Sequence, residues 1–390
     1  MLTLITIISV AVPYLSQSLL GQVSHTFGVG VAAAGAMVTA AQVGYALGVV
    51  LLVPLSEICR PRRQVCVQLV ALTVLLILAG LSWNLSVLVL AVGLAGFFAN
   101  VPQILLPVAV RYALTRHKAA TTATLGAALM AGIFGGRVYA GLISQLFGWR
   151  WVFLIAGIAV AAGIPVLMRL IGDHVEATSD SGYVATLGRM PRLLATSRIL
   201  RESSLLHLLV FAAFNSVWTV VALEMSHAYG WSPLAAGLMG VAGIASVPVV
   251  TRVGRLVARV GDTRTVLLCI VVVAFAVATF VLAGAHAAWL IAVALFVLTI
   301  GNQSAQVAHQ LRVFTAHSDA LATANTVYMF SVFLGGAIGA AGGTALFARD
   351  GLPGVGLFAA AALLIALIIY LINRVLDRHG SVQRAGMARA

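Results

Sequence analysis

Charge is scarce in this sequence. Only 8% of its 390 residues are charged, against 62% hydrophobic, where soluble domains carry roughly 25% and 45–50%. That balance excludes a water-soluble globular domain and leaves a polytopic membrane protein. Acid is scarcer than base, with ten Asp and Glu against twenty-three Lys and Arg and a formal net charge of +13. A nucleic-acid partner would need those cations gathered on one folded surface. Here they stand in short clusters between apolar runs, where they set topology and argue against nucleic acid. The three cysteines, Cys59, Cys66 and Cys269, follow no metal-ligand spacing and read as inert apolar side chains. No P-loop or Rossmann fingerprint, no Ser/His/Asp spacing and no large extramembrane domain stands out. An enzyme, an ATP-driven pump, a metal site and a bound cofactor are therefore not expected. Strict alternation is missing from the apolar runs, which excludes a β-barrel; helices remain, since each must satisfy its own backbone in lipid.

What is present is a series of apolar runs about 20 residues long. They fall near 2–21, 32–54, 65–82, 86–109, 121–144 and 151–171, then near 205–223, 234–253, 265–284, 288–310, 321–346 and 354–376. The first lacks a basic n-region and a cleavage site, so it is read as a span and not a signal peptide. Twelve helices as six plus six are predicted, divided into an N-terminal bundle (1–171), a linker (172–204), a C-terminal bundle (205–376) and a basic tail (377–390). Within the linker, RMPRLLATSRILRESS follows the acidic GDHVEATSDSG and reads as an interfacial basic helix after a flexible tether. All basic residues except Arg137, Arg150 and Arg349 fall on one side of this topology, which predicts that both termini are cytoplasmic.

The chain also repeats itself. SHTFGVGVAAAGAM (24–37) and SHAYGWSPLAAGLM (226–239) align at an offset of 202, opening spans 2 and 8. GIFGGRVYAG in span 5 echoes VFLGGAIGAAGG in span 11, with Gly135/Gly335 and Gly136/Gly336 paired at an offset of 200. Copies entering the membrane in the same sense are related by an axis along its normal. Two such bundles enclose a central cleft, and rocking about it is alternating access.

The loops after spans 2 and 8 carry further signals. GRLVARVGDTR supplies Gly254, Arg259, Gly261 and Arg264, while VPLSEICRPRR supplies Glu57, Arg62 and Arg63. Span 5 is glycine-rich and ends in Gly148-Trp149-Arg150. Over essentially its whole length the chain resembles the major facilitator superfamily. YLSQSLL, PLSE, PQILLP and NTVYMFSVFLGGAIG are similar to its bacterial sugar or drug efflux permease branch.

That resemblance implies an all-α fold of two pseudo-symmetric six-helix bundles in a bacterial inner membrane. It also implies a cavity lined by spans 1, 4, 7 and 10. The candidate lining residues are Tyr14, Gln17, Asn100, Gln103, Asn215, Trp218, Asn302, Gln303, Gln306 and Gln310. Gln303, Gln306 and Gln310 share one helix face, a polar stripe in an apolar span. Arg137, about 16 residues into its span, lies deep in the bilayer, where a charge is costly and needs a cavity or a partner. It is a candidate site for an anionic or hydroxyl-rich solute; the alternative is a structural arginine held by carbonyls near Gly135 and Gly335. Glu57, Arg62 and Arg63 read as a gate biasing a two-state interface. Gly132, Gly135, Gly136, Gly141, Gly335, Gly336 and Gly339 permit close helix packing. Proton coupling has few candidates, with Glu224 at a span end and His309 in span 10. The function expected is proton-coupled efflux of drug- or sugar-like compounds by a monomer. An importer or facilitator of an organic anion is the alternative, and a receptor or scaffold is the least favoured.

Overall fold

In the computed structural model, which describes residues 2–105, 118–170, 182–283 and 288–387, helix dominates throughout. Eleven stretches are long and apolar enough to cross a bilayer: Thr3–Phe27, Val31–Ser56, Pro61–Gly80, Leu85–Leu105, Thr124–Phe147, Trp149–Arg169, Arg198–Tyr229, Pro233–Val250, Asp262–Leu282, Ala288–Ala316 and Leu321–Leu376. The last is two spans, because the backbone breaks at Gly351 with φ 64° and ψ −154°. The described residues thus form the twelve expected spans, numbered 1 to 12 here. Arg111 and Arg116, the tether 172–181 and the side chain of Glu57 lie outside what is described.

Local chemistry sets the ends. Asn84 caps span 4 by accepting from the Val87 amide at 2.8 Å, and Ser232 caps span 8 by accepting from Ala235, with Pro233 in the first turn. Ser197 accepts from Leu200 at 3.2 Å, so span 7 begins at Arg198, not near 205. The expected basic helix is correspondingly confined to Tyr183–Thr196. It is docked by Tyr183, whose hydroxyl donates to the Leu51 carbonyl at 2.7 Å.

The duplication is written into the backbone. Gly28 and Gly230 both adopt φ 63° and close spans 1 and 7 with left-handed caps. Gly148 and Gly351 likewise take positive φ at the ends of spans 5 and 11. The second pair is 203 residues apart, and packing agrees. A Cβ on Gly132 would lie 2.5 Å from the Ile7 carbonyl oxygen, and one on Gly335 would collide with that of Leu208. Gly136 meets Ala11 as Gly339 meets Ala212. Spans 5 and 11 are therefore equivalent at an offset of 203, which corrects the 200 expected from the paired glycines. The doublets look alike in sequence, but the touching glycines form a ridge of every fourth residue. Gly135 has nothing within 4 Å of a built Cβ and lines a lateral apolar groove of about 300 Å³ beside Ile7, Ala11, Tyr139 and Ala156. It is not a packing glycine.

Spans 1 and 7 show how a one-residue difference is absorbed. From Ala11 to Gly28 is 17 residues, while from Ala212 to Gly230 is 18. Span 7 is continuous α-helix, but span 1 contains a 3-10 segment at Ser16–Leu19. A 3-10 helix rises about 0.5 Å more per residue than an α-helix, so four residues recover about 2 Å, close to the rise of the missing one.

Spans 1–6 and 7–12 meet along two seams on the face that carries the Gly28 and Gly230 turns. Span 2 packs on span 11, where Gly35 faces Thr344. Span 5 packs on span 8, where Gly141 faces the Pro233 carbonyl, Gly237 that of Arg137 and Gly240 that of Phe134. Gln145 adds a cross-seam bond, accepting from the Leu234 amide at 3.1 Å. The central helices are the most enclosed: 72% of span 1 and 78% of span 7 is buried, against 39% for spans 5 and 6.

Candidate functional site

Between the halves lies a chamber of about 60 Å³. Tyr14, Tyr45, Gln103, Gln303 and Gln306 supply its polar wall, and Met130, Phe211, Phe214, Met329 and Phe333 are among its apolar residues. Among the described residues none that lines it carries a formal charge. Tyr45 and Phe333 nearly touch across the halves, with ring centroids 4.1 Å apart, and Gln303 donates to the Met130 sulfur at 2.8 Å. The volume holds a few waters and is well below the roughly 300–1,000 Å³ of small-molecule sites. In this arrangement the chamber is contracted.

Just beyond the chamber stands Arg137, only 3% exposed. Its Nε donates to Gln17 Oε1 at 2.9 Å, and Nη1 donates to the Ile133 carbonyl one turn back. The guanidinium lies over Tyr14, Phe134 and Trp218, 4.9, 5.4 and 4.6 Å from the ring centroids. Three aromatic faces and two acceptors offset a desolvation cost that translocon scales put at about 3 kcal/mol mid-membrane. Nη2 is buried without a hydrogen-bond partner among the described residues. Gln17 continues the network, donating to Asn215 Oδ1 at 2.9 Å and Thr219 Oγ1 at 3.3 Å, and Asn215 donates to the Gly336 carbonyl at 2.7 Å. Four spans, 5, 1, 7 and 11, are thus tied through one chain of hydrogen bonds crossing between the halves. Such a chain is a latch, because the halves cannot part here without breaking it.

The residues singled out in the sequence divide accordingly. Tyr14, Gln103, Gln303 and Gln306 line the chamber; Gln17, Arg137, Asn215 and Trp218 build the latch. Asn302 is buried behind the wall and donates to Gln303 at 3.0 Å. Gln310 is not part of the lining; it donates to Asn325 Oδ1 and to the sulfur of Met329, behind the wall. Asn100 donates to the Phe97 carbonyl of its own helix. Glu224 sits on the last turns of span 7 beside His227, away from the chamber.

Of the loop motif after span 8, Gly261 ends the helix Val253–Val260 at φ 89°, while Gly254, Arg259 and Arg264 are exposed. Arg63 is exposed and Arg62 half-buried. The working acid of that loop is Asp262, which receives Arg312 Nε at 3.1 Å. Arg312 also reaches Glu202 at 3.4 Å, and Arg374 reaches the other oxygen of Glu202 at 2.5 Å. This cluster fastens the ends of spans 7, 9, 10 and 12 on the arginine-rich face. Beside it, His207 is hydrogen-bonded to the Tyr328 hydroxyl and stacks on His309. Glu202, Asp262, Arg312 and His207 escaped the sequence reading. The signal available was RESSLLH at a span start, an acid and a histidine five residues apart on one helix.

The comparisons agree with this architecture. The family model of the Major Facilitator Superfamily matches residues 2–340 and again 203–389. The uncharacterized transporter YgaY of Escherichia coli O157:H7 is 30% identical over 374 residues, covering 95% of this chain and 94% of its own. The probable transporter SCO4007 of Streptomyces coelicolor is 32% identical, covering 91% and 82%. A Helicobacter pylori protein named "Probable sugar efflux transporter" is 27% identical over 91% of this chain and 89% of its own. Among solved structures, the nucleoside transporter NupG superimposes with a TM-score of 0.72 at 13% identity, covering 95% of this chain and 97% of its own. The chain belongs to the Major Facilitator Superfamily, as a multi-pass membrane transporter of a small solute and not an enzyme.

Proposed function

We propose that this protein is a proton-coupled exporter of uncharged or weakly charged drug- or sugar-like compounds. The observation that carries this reading is the chamber wall, where tyrosine and glutamine amides and hydroxyls sit among aromatic and thioether side chains with no formal charge. Such a wall bonds hydroxyl and carbonyl groups and stacks on the apolar faces of a ring. The relative named for sugar efflux supports the same class. In the cycle, 1–171 and 205–376 rock as two bodies, and the Arg137–Gln17–Asn215 latch holds one face shut while the chamber opens to the other. The arginine-rich face, with both termini, is cytoplasmic, and a single chain of the bacterial inner membrane carries the whole pathway. Coupling protons enter through His309, with Glu224 as a second acceptor.

The test is transport by purified protein in proteoliposomes with an imposed pH gradient. The probes are labelled lactose, arabinose, a cationic dye and an organic anion. Gradient-driven movement of a sugar or the dye supports the reading. Movement of the anion alone would instead favour an organic-anion carrier, which one observation supports: Arg137 is a buried cation whose described hydrogen bonds go to an amide and a carbonyl, with no carboxylate. Gradient-insensitive transport would remove the coupling.

A further inference from the structure

The C-terminal bundle contains a buried group of titratable side chains that the chamber and the latch do not use. His207 in span 7 and His309 in span 10 are fully enclosed, each 0% exposed. Their rings stack with centroids 5.6 Å apart and planes inclined by 20°. His207 Nδ1 shares a hydrogen bond with the Tyr328 hydroxyl of span 11, which itself donates to the Gln306 carbonyl at 3.3 Å. Among the described residues both ring nitrogens of His309 lack a hydrogen-bond partner, while the His207 ring also bonds the Asn302 side chain. Buried polar atoms are nearly always partnered, so an imidazole with both nitrogens unpartnered needs a reason. A group that gains and loses a proton is such a reason.

We propose that His207 and His309 form one proton-binding pair inside the C-terminal bundle, joined to the chamber through Asn302 and Gln303 and to the arginine-rich face through Arg312 and Glu202. The pair deepens the proton-coupled reading above and rests on it for its role in transport. On the chamber side, Asn302 lies against His207 and bonds Gln303, which is part of the wall. On the other side, Arg312 is one turn from His309 and within its electrostatic reach, and bonds Glu202 and Asp262. Asp262 is half exposed, its side chain 45% accessible, so the series of polar groups ends in water.

The charges around the pair explain what a proton would do. Span 7 presents Glu202, span 9 Asp262, span 10 Arg312, span 11 the neutral Tyr328 and span 12 Arg374. Two carboxylates are matched by two arginines, so the cluster is neutral as it stands. A proton accepted by an imidazole nitrogen adds a cation, and the carboxylate on His207's own helix, Glu202, is already shared by Arg312 and Arg374. The imidazolium competes with Arg312 for that carboxylate. Loosening the tie frees the ends of spans 7 and 10 on the arginine-rich face, and release of the proton restores it. Two imidazoles stacked this closely repel when both are charged, so the pair takes one proton and titrates as a unit.

The probe is the proton itself. The full chain, labelled with 15N-histidine and held in lipid nanodiscs, is titrated from about pH 5 to about 9 across the range where histidine changes charge. His207→Gln and His309→Gln each remove one resonance and so identify the pair among nine histidines. The expected result is two resonances with a common midpoint, and in each single variant the surviving partner titrating at a shifted one. Tyr328→Phe should move the common midpoint and leave the other seven where they were. Two resonances fixed at the neutral position throughout, or two independent midpoints untouched by loss of the partner, would overturn the proposal. A titrating pair together with gradient-insensitive transport would remove proton coupling and leave the binding site.

Discussion

Spans 2 and 8 open with the same words and end as different objects. Span 2 is an unbroken α-helix over Val31–Leu52. Span 8 is tightened into pieces at Pro233–Gly237, Gly240–Ala245 and Val247–Val250. Its bonds run repeatedly to the third residue back, as from Val241 to Leu238 and Ser246 to Gly243. With three residues per turn, positions three apart stack on one face. Gly237, Gly240 and Gly243 have that spacing, and all three press on Phe134 and Arg137 of span 5. In span 2 the repeated glycine, Gly35, instead faces a side chain, Thr344. At the matching glycines one seam is backbone against backbone, Gly237 on the Arg137 carbonyl, and the other backbone against side chain, Gly35 on Thr344, so the duplication preserved the close approach but not its tolerance.

The strongest way to break that contrast is at Gly141. Gly141→Val drives two methyl groups at the Pro233 carbonyl, which has nowhere to go; overpacking costs typically 1–3 kcal/mol and more against backbone. We expect loss of transport and at least about a tenfold rise in maleimide labelling of a cysteine at Ala236, in a chain lacking its three native cysteines. Labelling no faster than in the parent would show the seam to be soft. Next in size is the latch, which shares span 5 with that seam. Arg137→Ala should abolish transport while expression stays normal, and Gln17→Ala should follow it, since Gln17 joins Arg137 to Asn215. Unchanged transport by either variant would remove the latch.

Gly35→Ala sharpens the comparison, because its obstacle can be deleted. It should lower the melting temperature, and Thr344→Gly should restore it. A Gly141→Ala defect should have no side-chain suppressor at Pro233. Equal rescue on both seams would erase the distinction. The smallest effect belongs to a feature the halves share without change, the left-handed caps. Gly28→Ala and Gly230→Ala each put a side chain at φ 63°, and should each cost about 1–2 kcal/mol in thermal unfolding. A large difference between them would mean that the two caps are not equivalent.

The twelve spans were legible because a bilayer imposes length and composition on each segment by itself. The depth of Arg137 followed from counting, and the Gln303 and Gln306 face from helical period. What escaped depends on which helices surround a residue. Glu202 reads as part of a polar linker, yet it is 5% exposed because spans 10 and 12 bring two arginines to it. His207 and His309 are 102 residues apart in the chain and meet only when spans 7 and 10 pack. Gly135 and Gly136 are neighbours in sequence and both border the lateral groove, yet only Gly136 presses on a neighbouring helix. Hydropathy sees both as small and apolar.

The short overwound stretch Ser16–Leu19 gives the first span a built-in screw. Letting four residues settle from three per turn to 3.6 would retract the outer part of the rod by about 2 Å and spin it through about 80°. Gln17, riding on that thread, would swing off Arg137 and Asn215 together. A single local rewinding thus undoes every bond that Gln17 makes at one stroke, the cross-half ties to Asn215 and Thr219 included, with no need for the surrounding rods to bend.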